Sequence, residues 1–217
     1  MGHIVTRDGR EVRVGKIVAI GANYTDHIEE MGHTIPESPM VFLKPSTSII
    51  HEGEAIVCPP TSNLVHHEVE LGLVVGTGGK NIAGGSGMDH VSHYLLALDM
   101  TLRDVQLDAM QRGWPWSIAK GFDGACPVSA ALPVDDADAL SRMPIRLAVN
   151  GDTRQDGTTG NMIWGPGQLV EIASSHFTLE PGDLILTGTP AGVGEVGKGD
   201  TIEAWLGDEL TIRFLVE

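Results

Sequence analysis

The 217-residue chain is 41% apolar and 20% charged, the balance of an ordinary globular protein, and no apolar run approaches the roughly 18 residues of a membrane span. Its formal net charge of -15 argues against nucleic acid and anionic membranes as partners, because both are bound through a positive footprint that releases counterions. The opening "MGHIVTRDGR" has neither a signal-peptide core nor the Arg- and Ser-rich, acid-poor character of a transit peptide, so a cytoplasmic location is expected. Cys58 and Cys126 lie far apart, have no CxxC spacing, and read as buried thiols. One domain over 1–217 is expected, with 1–15 as a short N-terminal segment.

In chain order, "KIVAIG", "MVFLKP" and "TSIIHEGEAIV" are short apolar runs of strand type. "NYTDHIEEMG" has helical character, with Asn23 or Thr25 as its cap and Gly32 as its stop. A strand is predicted from residue 66 to about Val75, then a Gly-rich loop, then a short helical patch "MDHVSHY". "LLALDM" reads as a buried strand. It leads into a helix over "TLRDVQLDAMQRG", which Thr101 can cap and Gly113 can end.

The second half is strand-rich. Asn150-Gly151 between two extended runs is a strong hairpin signal, because both turn residues must accept positive φ. Gly182-Asp183, Gly199-Asp200 and Gly207-Asp208 each precede an apolar run, and one helix, around "GQLVEIASS", interrupts them. The result is a mainly β chain of α+β type with a few short helices, lacking the βαβ alternation of a doubly wound sheet.

Chemistry concentrates in "HHEVELGLVVG". Residues i and i+2 of a strand share a face, so Glu68 and Glu70 project together, with Val69, Leu71 and Leu73 on the other side. On a wet face this repulsion would be cheap. Asp99, closing "LLALD", offers a third carboxylate if Thr101 takes the capping role. Three acids converging from two strands make a hard-oxygen site for Mg²⁺, Mn²⁺ or Ca²⁺. His66 and His67 are rival ligands, but neighbours in a strand point to opposite faces, so at most one can join the acids.

His27 and Glu30 lie three apart on the first predicted helix, where the carboxylate can orient the imidazole as a general base; a solvated surface pair has the same spacing. Arg103 and Gln106 share a helix face after Asp99 and can reach the same space. Lys120 closes the Trp-rich "WPWSIAK", and Lys44 lies in "FLKPST". Solvated and snorkelling side chains are their bland alternatives.

The ordered set "NYTDHIEE", "FLKPST", "HHEVELGLVVG", "LDMTLRDVQ", "WPWSIAKGFDGACPVS", "VNGDTRQDG" and "GDLILTGTPAGVG" resembles the fumarylacetoacetate hydrolase family, and within it the short acylpyruvase and oxaloacetate decarboxylase type. The resemblance implies a mixed, rolled β-sandwich, paired as a homodimer, with Mg²⁺ or Mn²⁺ held by Glu68, Glu70 and Asp99. It also implies that the His27–Glu30 dyad sits on a lid and that Lys120 is a catalytic cation. Lys44, Arg103, Gln106 and Thr189 would then contact substrate or the metal shell. Ala22 departs from the family's bulkier, sometimes basic residue.

The expected activity is metal-dependent C–C hydrolysis of 2,4-dioxo acids, acylpyruvates such as fumarylpyruvate or acetylpyruvate, to pyruvate and a carboxylic acid. The alternative is an oxaloacetate decarboxylase or 2-oxo acid tautomerase using the same enolate site. A non-catalytic β protein holding structural Ca²⁺ is the reading of another class.

Overall fold

The structure, a computed structural model, describes residues 2–26 and 36–217. Strands β1 (His3–Val5) and β2 (Glu11–Arg13) pair antiparallel and lead into β3 (Lys16–Gly21). Then come β4 (Met40–Pro45), β5 (Ile49–His51), β6 (Val65–His67), β7 (Val69–Val75), β8 (Val91–Leu98) and β9 (Thr101–Leu102). Helices α1 (Arg103–Arg112) and α2 (Ser117–Lys120) precede β10 (Cys126–Val128) and β11 (Leu132–Pro133). The remainder is β12 (Pro144–Val149), β13 (Asp152–Thr158), α3 (Pro166–His176), β14 (Leu184–Leu186), β15 (Gly194–Val196), β16 (Thr201–Leu206) and β17 (Leu210–Leu215).

The largest sheet runs β4-β3-β14-β7-β8-β10-β5, with β11 also on β8. It is mixed: β3 pairs parallel with β14 and β5 with β10, while the central β7–β8 pair is antiparallel. Val69, Leu71 and Leu73 of β7 pack with Leu96 and Leu98 of β8 against Ile145, Leu147, Ile202, Ile212 and Phe214 of the antiparallel sheet β13-β12-β16-β17. On the opposite face Val74, Leu95 and Ala97 meet Ile17, Leu184 and Leu186, with Ile4 and Val14 from the N-terminal strands. The centre of the large sheet is therefore dry on both faces, and its central strands read as near-continuous apolar runs. This is the expected mainly β sandwich with few helices.

Two turns behave as their residues dictate. Asn150 (φ 54) and Gly151 (φ 85) close the β12–β13 hairpin, and Gly113 (φ 68) ends α1 in the left-handed conformation.

Other expectations need correction. The strand predicted from residue 66 is two strands broken at Glu68, with β6 in a separate sheet, β15-β6-β9, and β7 in the large one. "MDHVSHY" is not a helical patch beyond the short 3₁₀ turn Gly87–His90, because Val91 and His93 pair with Val75 and Val74 and cross-strand bonding overrides local propensity. Thr101 does not cap α1. It lies in β9 opposite His66, its hydroxyl donates to Asp99 O (3.2 Å), and Leu102 occupies the cap position without a side-chain bond. Most of the helix expected over "NYTDHIEEMG", with its stop at Gly32, lies outside the described residues; Asn23, one of its two expected caps, has its amide engaged by Trp164 and by Thr187 O. Cys126 is buried but Cys58 is partly exposed; neither forms a disulfide. Among the described residues no helix is long and apolar enough to cross a membrane.

Candidate metal centre and active site

The β7–β8 register pairs Val69 with Leu98. It thereby sets Glu68 opposite Asp99, and the Asp99 N–H donates to Glu68 O at 2.8 Å. Glu70, two residues on, shares the Glu68 side of the chain. The three carboxylates converge, with one oxygen from each within 4.8 Å of the others. They are buried, at 6%, 1% and 1% exposure for Glu68, Glu70 and Asp99. The wet-face reading of the Glu-x-Glu pair therefore fails.

Cations answer the acids unevenly. The Lys120 ammonium sits 2.7 Å from both Glu68 Oε2 and Asp99 Oδ2, and 5.1 Å from the centre of the Phe42 ring. Lys44 donates to Asp99 Oδ1 at 2.6 Å and to Lys120 O. Arg103 spreads its guanidinium over three partners: Glu68 Oε1, Gln106 Oε1 and His66 Nδ1. Glu70 meets no Lys or Arg at ion-pair distance among the described residues; the Gly188 N–H donates to its Oε2 at 2.7 Å.

Protonation follows this geometry. Burial, then the charges of Asp99 and Glu68, hold the Glu70 carboxyl well above the usual carboxylate range. Burial alone would lower Lys120, yet Asp99 and Glu68 prevail and its pKa is raised, so the ammonium stays charged. Burial and then Arg103 push His66 down to about 4, leaving a neutral imidazole whose Nδ1 accepts from Arg103.

The donor set suits a hard divalent cation. All three candidate ligands are carboxylates, the choice of Mg²⁺ and Mn²⁺. Glu70, dry and with no Lys or Arg at ion-pair distance among the described residues, is the residue a bound cation would relieve.

Of the sequence candidates, Glu68, Glu70, Asp99, Lys120, Arg103 and Gln106 come together in one pocket. Lys44 is enclosed behind Asp99, with 1% exposure. Thr189 is also enclosed: its hydroxyl donates to Val69 O (2.9 Å) and accepts from Gln155 Nε2 (2.7 Å). His66 rests on Arg103, and His67 turns to Gln155 instead of the acids. His27 and Glu30 lie outside the described residues.

Sequence reasoning missed Gly188, Asn23 and Gln155. Gly188 has φ 91, and a Cβ there would come 2.9 Å from Asn23 Cβ, so only glycine brings this N–H to Glu70. A glycine between two threonines just after "LIL" was the available signal.

Three comparisons bear on this geometry. The family model described as fumarylacetoacetate (FAA) hydrolase C-terminal matches residues 16–216. A mitochondrial oxaloacetate tautomerase of Rattus norvegicus is 44% identical over 201 residues, 93% of this chain and 91% of that protein. Its Caenorhabditis elegans counterpart is 45% identical over 202 residues, 93% and 94% of the two chains. The crystal structure of fumarylpyruvate hydrolase from Pseudomonas aeruginosa in complex with Mn²⁺ and pyruvate superposes with a TM-score of 0.93 at 31% identity, covering 99% of this chain and 94% of that one. With a family model running nearly end to end and enzymes as its relatives, the chain belongs to the fumarylacetoacetate hydrolase family.

Proposed function

We propose that the protein interconverts the keto and enol forms of oxaloacetate or a close 2-oxo acid, with Mg²⁺ or Mn²⁺ held by Glu68, Glu70 and Asp99. The observation that carries this choice is the 44–45% identity to two oxaloacetate tautomerases over 93% of the chain. The acylpyruvate hydrolase expected from the sequence becomes the second reading, supported by the 31% identical fumarylpyruvate hydrolase bound to pyruvate.

The reaction removes a proton from C3 and returns one to the 2-oxo oxygen, so it requires stabilisation of an enolate and a proton carrier. A bound divalent cation would supply Lewis acidity at the 2-oxo group. Lys120, kept charged by Glu68 and Asp99 in a dry pocket, stabilises the developing negative charge, which is usually the largest catalytic contribution. Lys44 fixes Asp99 and the Lys120 backbone carbonyl from behind, so the ammonium is aimed before substrate arrives. Arg103, steadied by Gln106 and His66, presents positive charge toward a carboxylate substrate. His27 with Glu30 is the proposed proton carrier, and a homodimer is the proposed assembly.

The test is to mix purified protein and Mn²⁺ with the enol of oxaloacetate, following enol absorbance and pyruvate together. Tautomerisation gives faster enol decay without pyruvate. Decay no faster than buffer, alongside pyruvate released from acetylpyruvate or fumarylpyruvate, would transfer the assignment to the hydrolase.

A further inference from the structure

Gln155 of β13 is fully buried, at 0% exposure, and uses both ends of its amide. Its nitrogen donates to Thr189 Oγ1 (2.7 Å) and Pro190 O (2.9 Å), and its oxygen accepts from Val69 N (3.1 Å) and lies 2.9 Å from His67 Nδ1. The orientation is forced. Pro190 O can only accept and Val69 N can only donate, so the nitrogen faces the 189–190 loop and the oxygen faces the strand. His67 Nδ1 must then carry the proton, which leaves Nε2 a bare lone pair, buried and without a partner among the described residues.

These bonds meet at one place. Val69 separates Glu68 from Glu70, and it is held through its N–H by Gln155 and through its carbonyl by Thr189, itself held by Gln155. Two residues earlier in the chain, β6 ends at His67, again on Gln155. The break between β6 and β7, which lets Glu68 leave one sheet while Glu70 stays in another, is thus clamped by a single side chain from a third sheet. Retaining an unsatisfied His67 nitrogen is a poor choice for stability alone, since a buried acceptor with no donor is costly.

We infer that Gln155 is a positioning residue for the metal centre: through Val69 and Thr189 it sets the spacing of the Glu68 and Glu70 carboxylates. This rests on the proposed metal site at those acids. Removing a partner that orients ligands typically weakens metal binding by about 10–100-fold. The closing experiment is calorimetric titration of Mn²⁺ into wild type and Gln155→Met, a variant of similar size with no hydrogen bonds, with far-UV circular dichroism to confirm the fold.

The expected result is a native spectrum and a Kd for Mn²⁺ raised by about 10–100-fold, a change that a merely structural role would not produce in a folded protein. A folded variant with a Kd within about threefold of wild type overturns the proposal. If Gln155→Met does not fold, Thr189→Val cuts the same path one bond later: a Kd raised at least about tenfold supports the clamp, and an unchanged Kd overturns it. Wild type failing to bind Mn²⁺ overturns the metal reading itself, and this proposal with it.

Discussion

Two acid-rich clusters among the described residues differ in kind. One holds Glu68, Glu70 and Asp99; the other, of about 360 Å³, is a cleft lined by Arg7, Tyr94, Asp135, Asp136 and Glu209 among others. In the cleft Arg7 and Glu209 stand 3.8 Å apart with more than half of each side chain exposed, and Tyr94, pushed up to about 12 by burial and by its bond to Glu209, donates to that carboxylate. Water answers those charges. Around Glu68, Glu70 and Asp99 the protein must answer them itself, which is why Lys44, Lys120 and Arg103 are buried there. Acid count does not distinguish the two clusters; desolvation does.

The largest way to break the comparison is to remove a cation from each. Lys120→Met is expected to lower tautomerisation by about 10²–10³-fold, the usual loss for one preorganised donor. Its stability cost should approach, without reaching, the about 3–5 kcal/mol of a broken buried pair, because Arg103 and Lys44 still serve Glu68 and Asp99. Arg7→Ala in the cleft should cost less than about 1 kcal/mol. Steady-state rates and urea unfolding check both; a Lys120→Met enzyme within tenfold of wild type would remove the ammonium from the mechanism.

A smaller effect sharpens the contrast through pH. Glu70 has a folded pKa above its unfolded value of about 4.3, so the folded protein keeps a proton that the unfolded chain gives up. That stabilisation is complete below the unfolded pKa and is lost as pH rises through the folded pKa. In chelator-treated protein, Glu70→Gln should therefore flatten the fall of stability with pH and melt higher than wild type at pH 8, by about 2–4 °C for each kcal/mol relieved. Adding Mn²⁺ should reverse the order, because only wild type keeps the full carboxylate set. Thermal melts across pH, with and without Mn²⁺, read both signs; a wild-type curve as flat as the variant's would contradict the buried-acid account.

Much of the pocket was legible in the sequence because strand geometry is local. Glu68 and Glu70 share a side as the period of two expects even though the strand breaks at Glu68, and Arg103 with Gln106 needed only a helical turn. What local pattern could not supply was burial of the second face: there the side chains of β7, β8 and its neighbour β14 pack together under Ile4 and Val14 of the N-terminal segment, all distant in sequence. Asp99 joins the acids through a register set by the whole β7–β8 pair, not through capping by Thr101, so the expected convergence is present for a different reason. Gln155 stayed invisible for the same cause. In "DTRQDG" it looks like any polar strand residue, and only the packing of one sheet on another turns it inward.

The smallest expected effect concerns backbone strain beside the three acids. Ala22 has φ 56, a left-handed conformation that costs a residue with a Cβ about 1–2 kcal/mol, whereas no cleft-lining residue has positive φ. The neighbouring residue holds the strain in place: Asn23 is pinned by Trp164 and Thr187, and its Cβ packs over Gly188, whose N–H reaches Glu70. Ala22→Gly relieves the strain but adds freedom to the unfolded chain worth about 0.4–1 kcal/mol, so the net gain should lie between zero and about 1.6 kcal/mol. Ala22→Val, β-branched at the same φ, should lose stability instead. Urea unfolding of the two variants decides the matter: if glycine destabilises by more than about 1 kcal/mol, the Ala22 methyl is packing that the pocket needs, and the strained turn is held by contacts rather than by the Asn23 amide.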